Sequence, residues 1–256
     1  MQEAEPQKAI PTRRDHLQSL VLVVAVTPLL GFAAVCPVLH AARFGLSITP
    51  WIATFLLSFC FAALVWLLKA ATLPASGIGL LVCVILSQPM QKQSLQQGAV
   101  AEFTLSQTAF PALAMLFLLT FLATRFGRVK KEGSNLAEKR SGRRASQIIA
   151  NLGIAALCVS VAWHRGGWWY SGCVAALAEA TADTVSSEVG QAMGGPVWLI
   201  TTWRGVPTGT NGGISLGGTV SGSVAAGLVV IAGMTGPLFA PAPLVFAAAC
   251  TGLFFD

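Results

Sequence analysis

What this chain has least of is charge. Only 10% of its 256 residues are Asp, Glu, Lys or Arg, whereas 54% are hydrophobic. With a mean hydropathy of +0.70, this excludes an ordinary soluble domain and describes a polytopic membrane protein. Metal-binding side chains are also sparse. Cysteines occur at positions 36, 60, 83, 158, 173 and 250, all in apolar stretches and none in a CxxC pair. They read as small buried hydrophobes and supply neither a zinc nor a disulfide signal. His16, His40 and His164 are scattered, which argues against a histidine zinc site. Residues 1–18 are polar and carry Glu3, Glu5 and Asp15, so no secretory signal peptide is expected. No internal repeat is visible.

What is present is a series of apolar runs. They lie at 20–39, 51–68, 72–87, 108–124, 148–163, 169–190, 216–236 and 244–256. The expected fold is an all-α, polytopic helical bundle with about seven or eight transmembrane segments. It forms one membrane domain, 20–256, behind a polar N-terminus, 1–19. Eight of the sixteen basic residues gather in the loop 125–147: Arg125, Arg128, Lys130, Lys131, Lys139, Arg140, Arg143 and Arg144. The positive-inside rule places that loop, and by counting also the N-terminus, in the cytoplasm. A bacterial inner membrane is the expected location. Trp163, Trp168 and Trp169 read as an aromatic belt at the outer interface. Pro111 is expected to kink the fourth span, and Gly217, Gly218, Gly222 and Gly227 to allow close helix packing.

Against this background one polar region, 179–215, stands out. Carboxylates near lipid are costly and are therefore functional candidates. On a helix, Asp183, Thr184, Ser187 and Glu188 fall within an arc of about 140°. Two carboxylates with two hydroxyls form a hard oxygen site of the kind Mg²⁺ takes, with substrate phosphates completing its shell. Thr208, Gly209, Thr210, Asn211, Gly212 and Gly213 follow in a Gly-rich cytoplasmic or re-entrant loop. Successive N–H groups there form an anion nest, although no GK[ST] ending makes it a Walker A loop. Arg204 adds a cation suited to phosphate. Arg143, Arg144, Gln147 and Asn151 enter the fifth span and are candidates for nucleotide or lipid phosphates. Counting spans brings the basic loop, the acidic helix end, the Gly-rich loop and Asp256 to one face.

The ordered motifs Gly142-Arg143-Arg144…Gln147…Asn151, Asp183-Thr184…Ser187-Glu188-Val189-Gly190 and Thr201-Thr202-Trp203…Pro207-Thr208-Gly209-Thr210-Asn211-Gly212-Gly213 carry a resemblance. Leu73-Pro74-Ala75-Ser76-Gly77 and Thr124-Arg125-Phe126-Gly127 fit it too. Over roughly residues 71–256 the chain resembles the integral membrane family, long labelled a domain of unknown function, that includes the plant phytyl-phosphate kinase. The resemblance implies a polyisoprenoid-monophosphate kinase using a nucleoside triphosphate, CTP or ATP. It also implies Mg²⁺ held by Asp183, Glu188 and Asp256, with catalytic roles for Asp183, Glu188 and Arg204. Its partners would be a prenyl or phytyl phosphate, the nucleotide and the bilayer. No nucleic acid is expected, and a homo-oligomer is compatible. A wider similarity to dolichol kinase and phosphatidate cytidylyltransferase leaves a CTP-dependent nucleotidyltransferase or prenol kinase as an alternative. A transporter or a non-catalytic membrane protein is a further one. The family's pattern continues past its last Asp, so a chain ending at Asp256 is expected to be truncated.

Overall fold

A computed structural model describes residues 13–45, 47–88, 107–128, 142–165, 167–236 and 240–252. Its elements are α1 (Arg13–Arg43), α2 (Thr49–Leu67), α3 (Leu73–Leu86), α4 (Phe110–Arg125), α5 (Ala145–Arg165) and α6 (Trp168–Met193). Three short strands follow, β1 (Val197–Leu199), β2 (Gly205–Val206) and β3 (Gly213–Ile214), and then α7 (Leu216–Gly233) and α8 (Ala242–Gly252). Each apolar run of the sequence becomes one helix. The N-terminal helix reaches further back than its apolar run, to Arg13.

Local chemistry sets the helix starts. α2, α3 and α4 each carry proline at one of their first two positions, where no helical N–H is needed and φ is already set. Pro111 therefore opens α4 and does not kink it. α1, in contrast, holds Pro28 and Pro37 within its length. Ser215 caps α7 by accepting the Gly218 N–H at 3.2 Å, which satisfies one of the helix's unpaired donors.

Cross-helix contacts define two ends of the bundle. At one end the Ala109 N–H donates to the Leu86 carbonyl at 2.9 Å, joining α3 to α4. There too the buried Tyr170 hydroxyl lies 3.0 Å from the Gly233 carbonyl and 3.2 Å from that of Thr108. The Ala240 N–H donates to Ser171 Oγ at 3.0 Å. At the opposite end the Arg143 N–H donates to the Ala70 carbonyl, and the Thr72 N–H to the Arg143 carbonyl, both at 3.0 Å. Arg125 donates to the Leu68 carbonyl at 3.2 Å. From α2 onward the helices thus alternate in direction.

Among the described residues four helices are long and apolar enough to cross a membrane: α1 (over Arg14–Arg43), α2, α5 (over Ala145–Ala162) and α7. α3, α4 and α8 are apolar but shorter. The 14 residues of α3 rise about 21 Å, less than the roughly 30 Å of a bilayer core. Long helix α6 carries Glu179, Asp183 and Glu188 yet is buried over much of its length, from Tyr170 to Ala192. Its neighbours shield it, while Phe32, Phe55 and Phe59 on α1 and α2 face outward, as side chains against lipid do. Trp168 and Trp169 are exposed at the start of α6.

The all-α expectation needs one correction. The segment after α6 forms a three-stranded antiparallel sheet of order β2-β1-β3. Val197 pairs with Val206, and Leu199 with Gly213. Its strands are two or three residues long, too short for an alternating pattern to register in the sequence.

The tightest crossing in this region joins α6 to α7. A Cβ on Gly218 would lie 2.5 Å from the Ser186 carbonyl oxygen and 3.3 Å from Gly190 Cα. Backbone cannot yield there as a flexible side chain does. Gly218→Leu is expected to destabilise the protein by about 1–3 kcal/mol or more. Gly227→Ala, whose Cβ would meet Phe246 at an ordinary 3.6 Å, should be close to neutral. Unfolding temperatures of the two variants in one detergent check the difference.

Candidate functional site

Helix geometry divides the polar face of α6. Asp183, Ser186, Ser187, Gly190 and Gln191 recur at three- and four-residue spacing, so they share one side. That side lines a cavity of about 1500 Å³, counting its open mouth. Glu188, five residues beyond Asp183, is turned about 140° away and does not line it. Thr184 is buried and turned elsewhere too.

The opposite wall of this cavity is the Gly-rich connection between β2 and β3. Thr208, Gly209, Thr210, Asn211, Gly212 and Gly213 all line it, together with Ser215 and Thr219 at the start of α7. Two N–H groups of the loop are used internally: Thr210 donates to the Pro207 carbonyl at 3.3 Å and Gly213 to the Thr210 carbonyl at 3.0 Å. Those of Gly209, Asn211 and Gly212 have no hydrogen-bond partner among the described residues. Gly209 and Gly212 take positive φ, 90° and 73°, a conformation in which N–H groups can converge on one anion. The α7 N-terminus adds the positive end of its dipole.

The hydroxyls beside Asp183 are poised as acceptors. Ser186 Oγ donates to the Asp183 carbonyl at 2.9 Å, and Ser187 Oγ to the Thr184 carbonyl at 3.1 Å. Their protons point back into the helix and their lone pairs remain available to a cation. Among the described residues Asp183 is the one charged residue that lines the cavity. Arg204 is exposed in the turn between β1 and β2 and does not line it. Among the described residues no group of three or more His, Cys, Asp or Glu could hold a metal. Mg²⁺ fits the cavity nonetheless, because it takes one or two carboxylates and draws its other ligands from water and phosphate. Asp256 lies outside the described residues.

The basic residues before α5 belong to a different place. Residues 142–144 run beside the α2–α3 connection through the Ala71–Arg143 bridge. Gly142 makes this approach possible: its φ is +77°, and a Cβ would lie 2.6 Å from the Ala70 carbonyl carbon. Arg143 then reaches α6 and donates to Thr184 Oγ1 at 3.3 Å, while that hydroxyl donates to the Ala180 carbonyl at 3.0 Å. Gln147 Oε1 accepts the Arg144 N–H at 2.7 Å, one half of a capping box that starts α5. Arg144 and Gln147 are exposed. Arg143 and Asn151 line a second, mostly apolar cleft between α2, α3, α4 and α5. The structure thus joins Asp183 and Ser187 to the whole Gly-rich loop, and sets Arg143 and Asn151 on the far side of Thr184. Sequence reasoning passed over Gln191 and Ser186, which the spacing from Asp183 would have found. It named Arg125 and Arg128 in the basic loop without making them site residues, and did not single out Lys69, although all three line the second cleft.

A helical membrane bundle with a polar, glycine-walled cavity at one end defines a class. A family model described as "Integral membrane protein DUF92" matches residues 56–256, and the chain belongs to that family. The uncharacterized membrane protein sll0875 of Synechocystis is 36% identical over 138 residues, 52% of this chain and 53% of that protein. Protein VTE6, chloroplastic, of Arabidopsis thaliana is 32% identical over 161 residues, 57% of this chain and 48% of its own length. Protein PGR of the same plant is 30% identical over 176 residues, 60% and 59% of the two chains. The chain spans about half the length of the curated relatives it matches. No solved structure matches it.

Thr184→Val tests the tether between the basic segment and α6. It keeps the volume but removes the acceptor for Arg143, and about 1 kcal/mol of stability should go with it. Hydrogen exchange of residues 142–144 is expected to accelerate while the Gly-rich loop is unchanged. Gly142→Ala should accelerate the same amides further, because it meets backbone.

Proposed function

We propose that this chain is a membrane prenyl-monophosphate kinase that moves the γ-phosphoryl group of a nucleoside triphosphate onto a lipid monophosphate. One observation carries the reading: Asp183 faces the free N–H groups of the Gly-rich loop and the α7 N-terminus across a single cavity. A carboxylate opposite an anion nest, with no basic residue among the described residues of the lining, suits a metal-bound polyphosphate better than a bare anion. Family membership supports it through the resemblance to the phytyl-phosphate kinase, with VTE6 and PGR as relatives. An integral membrane protein also meets its lipid substrate in the bilayer.

Asp183 would hold Mg²⁺, with Ser186 and Ser187 as neighbouring oxygen donors. Bound there, the ion would neutralise charge on the β- and γ-phosphates. The N–H groups of Gly209, Asn211 and Gly212 orient the phosphate chain, and the Thr208 and Thr210 side chains border it. An oxygen of the lipid phosphate attacks the γ-phosphorus. The bond from that phosphorus to the β–γ bridging oxygen breaks, and the nucleoside diphosphate leaves. The attacking group is already ionised, so no strong general base is needed. Glu188 and Arg204, directed away from the cavity, serve in this reading at its periphery.

The test is an assay of the purified protein with farnesyl or phytyl phosphate, each of the four nucleotides, and Mg²⁺. The expected product is the lipid diphosphate. Chelation by EDTA should abolish its formation and Mg²⁺ restore it. Asp183→Asn is expected to lower the rate by about two orders of magnitude, with unchanged unfolding temperature. With α-labelled CTP, label retained on the lipid would mean transfer of CMP and a nucleotidyltransferase. Absence of any lipid diphosphate would overturn the kinase.

A further inference from the structure

The second cleft is a different kind of site from the first. It extends along α4 from Arg125 to Leu113, twelve residues or about 18 Å of helix. Its inner part is apolar, walled by Phe61, Leu113, Leu116 and Phe117, with the Phe61 and Phe117 rings 5.3 Å apart edge to face. Its outer part is cationic. Lys69, Arg125, Arg128 and Arg143 line it, and among the described residues no Asp or Glu does. Two of these cations are held in place: Arg125 sits 4.1 Å over the Phe121 ring and donates to the Leu68 carbonyl, and Arg143 donates to Thr184. Such clamping lowers the entropy a ligand must remove.

Two neutral groups share the cationic end. Ser76 lies in the first turn of α3, is 6% exposed, and its hydroxyl has no hydrogen-bond partner. A buried polar atom left unpaired costs about 1–3 kcal/mol and calls for an explanation. Half-buried Asn151, in the second turn of α5, has no partner among the described residues either. The N-terminal turns of α3 and α5 lie at the same end, so both helix dipoles favour an anion there.

We propose that this cleft binds a phosphate-headed lipid with a single hydrocarbon chain. The chain lies between α2 and α4 against Phe61, Leu113 and Phe117. The phosphate sits among Arg125, Arg128, Arg143 and Lys69, and the Ser76 hydroxyl and the Asn151 amide donate to its oxygens. Arg143 links the two sites, since Thr184, which accepts its hydrogen bond, directly follows Asp183 of the polar cavity. Naming this lipid as the phosphoryl acceptor rests on the kinase reading. Binding itself does not.

The test is binding to the purified full chain in detergent, without nucleotide, by titration calorimetry. The ligands are farnesyl phosphate, farnesol, inorganic phosphate and phosphatidic acid. Farnesyl phosphate is expected to bind at least tenfold more tightly than each of the other three. Arg125→Gln and Ser76→Ala should each weaken it by tenfold or more and several-fold, respectively. Gly79 lines the cleft and has open space within 4 Å of its Cβ position, so Gly79→Leu should fold and block the chain's path. Farnesol binding as tightly as its phosphate would overturn the proposal, as would inorganic phosphate binding equally well. Preference for two-chained phosphatidic acid would mark a bilayer-lipid site and overturn it too. So would unaltered binding by folded Gly79→Leu. A protein that binds farnesyl phosphate but makes no diphosphate keeps this site and loses the kinase. One that makes diphosphate at the wild-type rate with Gly79→Leu loses the site and keeps the kinase.

Discussion

The arrangement depends on how closely α6 and α7 cross. Gly190 and Gly218 let the two backbones meet where any side chain would strike the Ser186 carbonyl or the facing helix. In a membrane, apolar burial gives helices little reason to prefer each other over lipid, so close van der Waals contact between small residues takes its place. This contact fixes where α7 begins. Because β3 leads straight into the Ser215 cap, it also fixes where the small sheet hangs. The Gly-rich loop is thereby carried over the Asp183 face of α6.

α6 works as a partition. One side presents Asp183, Ser186, Ser187 and Gln191 to the polar cavity. Another side, at Thr184 and Ala180, meets Arg143 and the wall of the apolar cleft. Asp183 and Arg143 thus line different cavities, although Arg143 is held by the residue next to Asp183. The two environments differ in the way two unlike substrates would require. One is polar, with a single carboxylate facing unpaired N–H groups. The other is apolar, with a cationic end and no acid among the described residues that line it.

Much of the chain was legible in advance. Each apolar run became a helix, and the described ends of the basic segment, the acidic end of α6 and the Gly-rich loop gather at one end of the bundle. Asp183, Ser187 and the six residues from Thr208 to Gly213 share a cavity as the motifs implied. Other candidates were legible as residues but not as neighbours. Glu188 sits on the same helix as Asp183, but the roughly 140° between them is enough to put it outside the cavity that Asp183 lines. Gln147 looked like a phosphate ligand and caps its own helix. Pro111 looked like a kink and proved a helix start, a difference of one or two positions in the helix boundary.

Composition and periodicity by themselves determined that this is a helical membrane protein, and which stretches are helical. Hydrophobicity over a run of residues is a local property and survives any tertiary arrangement. The polar anomaly at 179–215 was likewise a local fact. The tertiary structure alone decided which polar residues meet. The short β-strands, the bridge from Ala71 to Arg143 and the cluster of Lys69, Arg125, Arg128 and Ser76 join residues far apart in the chain. Contacts of that kind are set by backbone approach at Gly142, Gly190 and Gly218, and no spacing rule along a single helix records them.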